Sequence, residues 1–295
     1  MSIKWFKNLH IFHFEQAVTF TAEELQQQLA TMTFRPCGAQ DWFSQGWIAP
    51  IAETADVLAH SSNNCIFFML CKQEKLLPSK TIRDAIAVKG NKIELDQSRR
   101  VGKREKNDLK EQVVHDLLPR AFTQNTETAA YIDLTHQWLM VDTPSRKKAE
   151  EFVSFLRTCV DTLPVVPLMT PQPPVESMTA WLKQRRPPKP FTFGEDCKLI
   201  AGEGESVTCK QLDLLSAEVQ EHLRAGKLVQ QLALQWNDRV AFVLDDKLTI
   251  RRIKLLDIIQ EQYEHLADAQ SHFAMMTLEL ARLLQELLEV LSKKT

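Results

Sequence analysis

The chain has 295 residues, of which 44% are hydrophobic and 25% are charged, and its formal net charge is −2. This composition is that of a globular protein and excludes a largely disordered chain. The length suits one large domain or two to three smaller ones. The first residues show no secretory-signal pattern, and no apolar run reaches the roughly 20 residues of a membrane-spanning helix. We therefore expect a cytoplasmic protein without a membrane partner.

The first half of the chain predicts hairpins joined by helices. A strand is expected at 5–14, followed by a helix that begins at the Thr21/Glu24 capping box. Further elements are a hairpin turning at 61–64, charged helices over 79–118 broken near Gly90 and Gly102, a hairpin turning near 135–137, and a helix at 145–160. The apolar face of this last helix is expected to comprise Ala149, Phe152, Val153 and Leu156.

The second half predicts a short strand at 163–168, a proline-rich stretch with a short helix around Trp181, and strands at 191–200 and 206–211. A helix at 216–225 should end at Gly226, and a meander of three strands should precede a helix over 257–291. Hairpins outnumber βαβ units, which favours an α+β fold with antiparallel sheets. We expect an N-terminal α+β region (1–72 with 123–170), a charged helical finger (73–122) and a C-terminal α+β region (171–295).

Charge is unevenly distributed along the chain. Residues 72–120 contain 13 Lys and Arg against 8 Asp and Glu, and residues 99–110 contain 6 against 2. A solvated helix face is the usual explanation of such a run, and a surface that follows nucleic-acid phosphates is the sharper one. The candidate phosphate contacts are Arg99, Arg100, Lys103, Arg104, Lys106 and Lys110.

An apolar sequence follows the charged run. Pro119 ends the helix, because the residue before a proline is pushed out of the α region. Leu117, Leu118 and Phe122 could pack into the local core, or they could anchor a second subunit, since aromatic residues and Arg are enriched at interface centres. Arg120 lies between them and could contact DNA or the partner.

Catalytic and metal-binding motifs are not found. The 6 cysteines form no C-x-x-C pair, and the 8 histidines form no H-E-x-x-H. The sequence contains no P-loop, no G-x-S-x-G and no dinucleotide-binding glycine pattern. We therefore predict no catalytic residues, no cofactor and no metal site.

Eight short motifs occur in an order that resembles a known family. They are WFKNL (5–9), FRPCGAQD (34–41), GWIAP (46–50), EKLLPS (74–79), LLPRAF (117–122), LMVD (139–142), LPVVPL (163–168) and AGKLVQQLALQW (225–236). Together they resemble the bacterial recombination-associated protein family RdgC, and the resemblance runs nearly from end to end.

The resemblance implies a non-enzymatic homodimer in which two elongated, curved subunits form a ring. Duplex DNA would pass through a basic hole without strong sequence preference, and single-stranded DNA is left open as a second ligand. The protein would be nucleoid-associated and would oppose the recombinase RecA on DNA. In these terms the basic helix faces the hole, and Phe122 with its neighbours helps to close the ring.

One family motif is only partly present. The family tends to show two basic residues followed by Gln-Asp-Leu before the helix at 216–225, where this chain has CKQLDLL (209–215). Lys210 matches the first basic position, while Gln211 and Leu212 depart from the pattern. Lys210 and Gln211 are therefore carried over as DNA-contact candidates.

Two other classes of function stay open from the residues alone. A protein-interaction or structural module would use the charged helix only for solubility. An enzyme with an unrecognised site would show a deep pocket with convergent polar groups.

Overall fold

The computed structural model describes residues 3–51, 56–160, 162–202 and 204–293. In chain order the strands are β1 (His10–Phe14), β2 (Phe43–Ile48), β3 (His60–Ser62), β4 (Cys65–Leu76), β5 (Phe122–Asp133), β6 (Trp138–Val141), β7 (Val165–Pro167), β8 (Phe191–Ile200), β9 (Ser206–Cys209), β10 (Leu228–Trp236), β11 (Val240–Asp245) and β12 (Ile250–Leu255). The helices are α1 (Ala22–Ala30), α2 (Ser79–Gln97), α3 (Lys103–Leu117), α4 (Arg146–Leu156), α5 (Pro174–Lys183), α6 (Ala217–Arg224), α7 (Asp257–Glu264) and α8 (Ala269–Ser292).

The chain forms two compact units. The large unit takes its residues from Met1–Leu29, Ala49–Phe68 and Ala129–Thr295, and the small unit comprises Ala30–Ile48 and Met69–Thr128. Antiparallel strand pairs and eight helices among the described residues confirm the predicted mixed fold with antiparallel sheets. The predicted three-part division at 72, 122 and 170 stays a prediction.

The large unit contains two sheets. In the first, β1 lies between β6 and β7 and pairs antiparallel with both, and β5 follows beyond β6. The second sheet has the order β12-β11-β10-β8-β9. The two sheets meet where Leu9 and Ile250 exchange backbone hydrogen bonds of 2.7 and 3.1 Å. Continuous backbone pairing thus links the N-terminal and C-terminal parts of the chain within one unit.

Helix α8 supplies much of the core of the large unit. Its N-cap is Asp268, whose side chain accepts a hydrogen bond from the backbone N–H of Ser271. Twelve of its side chains are buried, among them Phe273, which stacks on Phe67 at 5.1 Å and meets Tyr131 edge-on at 5.8 Å. The Asp268 cap corrects the expectation of one helix over 257–291, because the chain ends α7 before this cap and starts α8 after it.

The small unit contains β2, the second part of β4, the first part of β5, and the helices α2 and α3, which pack against each other. A single 3-10 turn at Leu118–Arg120 joins α3 to β5. We call the segment from Ser79 to Arg120 the helical finger. Its two helices separate at Ser98, which has a left-handed φ of 48°, and α3 begins after Gly102 as its N-cap. The expected break near Gly102 is confirmed.

The expected break at Gly90 is wrong, because α2 runs through it without interruption. A glycine inside a helix costs about 1 kcal/mol relative to alanine, which a helix of this length tolerates. A side chain at this position would meet no atom within 4 Å, so packing does not require the glycine.

Local sequence signals predicted several other elements correctly. The capping box at the start of α1 forms in both directions, since Thr21 N–H donates to Glu24 Oε2 at 2.8 Å and Glu24 N–H donates to Thr21 Oγ1 at 3.2 Å. All four residues predicted for the apolar face of α4 are buried. The first strand is shorter than expected and begins at His10 rather than Trp5. No helix in the described part of the chain is long and apolar enough to span a membrane.

Candidate nucleic-acid interface

Helix α3 buries one narrow stripe and exposes the rest of its surface. Leu109 and Val113, four residues apart, are its buried side chains. Lys103, Lys106 and Lys110 follow at intervals of three and four residues, so they lie on one flank of this stripe. All three are exposed, and no carboxylate of a described residue lies within 4.0 Å of their ammonium groups. We call these three residues the lysine face.

The acidic residues of α3 lie mainly on the other flank. Helical spacing places Glu105 and Asp108 there, together with Arg104. Arg104 is exposed, but its neighbours on that flank are carboxylates. The helix therefore separates its charges by side, which a count of charges along the sequence does not reveal.

Arg99 is engaged within the finger. Its Nη1 and Nη2 each donate to a Glu105 carboxylate oxygen at 2.7 Å, and its Nε donates to Gln97 Oε1 at 2.8 Å. The hydrogen bond from Arg99 is the main reason why the pKa of Glu105 is lowered. The pair braces the connection between α2 and α3, where Val101 N–H also donates to Glu94 Oε1. Of the six basic candidates, Arg99 is thus the one with a demonstrated structural role.

Arg100 and Arg120 are exposed at the two ends of the finger. Arg100 lies in the connection before α3, and Arg120 ends the 3-10 turn. Lys75 holds this turn in place, since its Nζ donates to the backbone oxygens of Leu118 at 3.0 Å and Ala39 at 2.7 Å. The turn is a fixed structural element that presents Arg120 to solvent.

The apolar residues that follow α3 differ sharply in exposure. Leu118 is only 2% exposed and packs inside the subunit, Leu117 is half-buried, and the Phe122 side chain is 84% exposed. Leu118 is therefore a core residue of the small unit, with almost no side-chain area free for a partner. Phe122 is the apolar residue that this segment offers to another molecule.

Phe122 belongs to a larger exposed apolar cluster. Strands β4 and β5 are neighbours and both have twelve residues, and Gln73 Nε2 donates to Asn125 Oδ1 at 2.9 Å. An antiparallel register with these two residues opposite each other places Phe122 opposite Leu76. Because Phe43 pairs with Glu74, two residues before Leu76, Phe43 lies on the same face of the sheet. Phe43 and Leu76 are half-exposed, and with Phe122 they form what we call the apolar edge cluster.

The candidates Lys210 and Gln211 lie in the large unit, directly after β9. Both side chains are exposed, and Gln211 has a left-handed φ of 52°. Its backbone N–H donates to the Asp196 carboxylate at 3.2 Å. The structure places these two residues in a different unit from the lysine face.

Within the described ranges, no group of three or more His, Cys, Asp or Glu side chains is arranged to hold a metal ion. The site features are therefore exposed basic side chains and exposed apolar side chains carried by antiparallel strands and an amphipathic helix.

Comparison with known proteins assigns the chain to a family. Residues 4–294 match the family described as "Putative exonuclease, RdgC". Proteins named "Recombination-associated protein RdgC" from Salmonella paratyphi B, Salmonella typhimurium and Salmonella typhi are each 39% identical over 293 residues, which is 97% of this chain and 97% of theirs. The chain belongs to the RdgC family of recombination-associated proteins, as the order of its motifs indicated.

Proposed function

We propose that the protein binds DNA without sequence preference as a homodimer that encircles the duplex, and that it opposes RecA-dependent recombination. The lysine face of α3 is the observation that carries this proposal. Three unpaired ammonium groups on one flank of a helix are suited to phosphate oxygens, which contribute affinity but no sequence information. The recombination-associated name of the relatives supports a role on DNA. Association with the nucleoid follows from binding of this kind.

The apolar edge cluster supports the proposed dimer. Phe43, Leu76 and Phe122 combine two aromatic rings with a leucine on one exposed sheet face, and Lys72 lies over the Phe43 ring at 5.0 Å. An aromatic cluster with a charged rim is typical of the centre of a protein interface. We propose that this cluster meets its counterpart in the second subunit, with Leu117 at its margin and Leu118 supporting it from within.

A salt titration tests the DNA-binding proposal. The logarithm of the affinity for duplex DNA should fall linearly with the logarithm of the salt concentration, with a slope of about 0.9 per phosphate contact. Replacing Lys103, Lys106 and Lys110 with Gln should weaken binding and reduce the slope by about 2.7 for three lost contacts.

Two single variants of the same helix provide a matched control. Lys106→Gln and Arg104→Gln remove the same charge, but only Lys106 lies on the lysine face. We expect Lys106→Gln to reduce the salt slope clearly more than Arg104→Gln does. Equal effects of the two would favour a diffuse charge effect, and no effect of either would support the alternative of a solvated helix in a protein-interaction module.

A second candidate function rests on the family description, which names an exonuclease. End-labelled duplex and single-stranded DNA can be incubated with the protein and Mg²⁺ or Mn²⁺, followed by electrophoresis. The proposed function expects full-length DNA together with reduced RecA-dependent strand exchange. Progressive shortening of the labelled strand would instead establish nuclease activity.

A further inference from the structure

The five-stranded sheet of the large unit carries a small hollow between β8, β9, β10 and β12. Its volume is about 190 Å³, and its lining includes Asp196, Lys198, Thr208, Lys210, Gln231 and Arg252. At roughly 30 Å³ for each water molecule in the liquid, this volume corresponds to about six waters. The hollow is therefore large enough for a phosphate group but too small for a whole nucleotide.

One carboxylate holds two sides of the hollow together. Asp196 accepts the backbone N–H of Gln211 with Oδ1 at 3.2 Å, and it accepts Nη1 of Arg252 with Oδ2 at 3.0 Å. Gln211 follows β9, whereas Arg252 lies in β12 at the opposite edge of the sheet. Asp196 thus fixes two residues that the strand order would otherwise leave independent.

Both residues held by Asp196 have an unusual backbone conformation. The φ angles of Gln211 and Arg252 are both 52°, in the left-handed region that long side chains rarely adopt. Arg252 lies inside a strand, near an irregularity in the pairing of β11 with β12. Irregularities of this kind redirect a side chain, and they are frequent next to functional sites. An exposed ion pair contributes little stability, so the Asp196–Arg252 pair alone is a weak reason for this geometry.

The charge of the hollow is positive. Lys198, Lys210 and Arg252 contribute three positive charges, and Asp196 contributes one negative charge, which gives a local sum of +2. Arg252 is exposed and uses only Nη1 toward Asp196, while a guanidinium has five N–H donors in all. The remaining donors suit the oxygens of a phosphate group.

We infer that this hollow binds a phosphate group of the nucleic-acid backbone, with Lys198 and Arg252 acting beside Lys210 as direct contacts. Asp196 is a positioning residue, since it orients Arg252 and Gln211 without contacting the phosphate. The inference rests on the proposed DNA-binding function and adds a second contact surface, in the large unit, to the lysine face of α3.

Single-charge variants test the direct contacts. Lys198→Gln and Arg252→Gln should each weaken binding of duplex DNA several-fold and reduce the salt slope by about 1. Lys147→Gln in α4 is the control, because Lys147 is an exposed lysine of the large unit that does not line the hollow. Thermal unfolding of each variant shows that the fold is retained.

Asp196→Asn separates positioning from simple charge. Removing this negative charge should tighten DNA binding if the hollow acts only through its net charge. The positioning role predicts the opposite, because an amide cannot accept hydrogen bonds from both Gln211 and Arg252. We expect Asp196→Asn to bind DNA several-fold more weakly at unchanged thermal stability, and tighter binding would overturn the positioning role.

The remaining outcomes distinguish this inference from the proposed function. If the wild-type protein binds DNA but Lys198→Gln and Arg252→Gln behave like Lys147→Gln, the hollow is not a contact site and the proposed function stands. If the wild-type protein does not bind DNA at any salt concentration, both the proposed function and the inference are overturned.

Discussion

Helices α8 and α2 are both long, but they are stabilised in different ways. Helix α8 has a side-chain N-cap and buries twelve residues in the large unit. Helix α2 has 19 residues, no side-chain cap and no buried residue, and it exposes Val88 and Leu95 on one side. Isolated helices are marginal in water, and burial of an apolar face is the usual source of their stability. We conclude that α8 serves the core, whereas α2 presents surface.

The largest expected effect lies in α8. Phe273→Ala removes a fully buried ring that contacts Phe67 and Tyr131, and it should lower the free energy of unfolding by about 3–5 kcal/mol. Val88→Ala in α2 should change it by no more than about 0.5 kcal/mol, because that side chain is exposed. Urea unfolding of both variants measures the difference. Equal losses would mean that α2 is covered in solution, and the contrast between the helices would fail.

The two ends of the 3-10 turn provide the next comparison. Leu118→Ala should cost the subunit about 2–5 kcal/mol of folding stability, because the side chain is buried. Phe122→Ala should leave the subunit stable and weaken the dimer by about 2 kcal/mol, the range of an interface hot spot. Sedimentation gives the mass, and thermal unfolding at high dilution gives the stability. A Phe122→Ala variant that melts early but still dimerises would contradict the interface role.

Acid should destabilise the large unit through two histidines. Burial lowers the pKa of His10 and His60 below the ordinary value of 6.5. The unfolded chain then binds more protons than the folded protein between the two pKa values, so stability is lost as the pH falls below about 6.5. The melting temperature of wild type should fall more between pH 7 and pH 5 than that of a His10→Gln, His60→Gln double variant. Parallel curves for the two proteins would rule out this contribution.

The smallest effect is expected at Gly90 in the middle of α2. Gly90→Ala should raise stability by up to about 1 kcal/mol, because alanine restricts the unfolded chain and nothing in the structure obstructs the added methyl group. Gly226→Ala serves as the contrast, since its φ of 87° is unfavourable for alanine and this variant should lose stability. If Gly90→Ala is destabilising, α2 needs flexibility at that point.

Local signals in the sequence predicted much of the fold. The Thr21/Glu24 capping box, the apolar face of α4 and the turn before Gly226 each depend on a few neighbouring residues. The break at Asp268 was missed, because an apolar pattern on both sides of a cap resembles one continuous helix. The interruption expected at Gly90 was wrong, because glycine lowers helix stability without ending a helix.

The candidate site was less predictable, because contacts over long sequence distances define it. The basic run of α3 was visible, but the engagement of Arg99 by Glu105 depends on the turn between two helices. Phe43, Leu76 and Phe122 come together only through strand pairing. The link from Asp196 to Gln211 and Arg252 also depends on sheet order and on two backbone conformations that no residue type announces.

The register of β4 and β5 also gives the finger a modular character. Because Leu76 and Phe122 lie opposite each other, the whole helical finger is in effect a very long loop of a β-hairpin. Its two ends are as close together as paired strands, so a two-residue Asn-Gly turn could replace it without moving either strand. The same geometry allows natural variation in the length of the finger, since insertions and deletions at a hairpin loop leave the sheet that carries it unchanged.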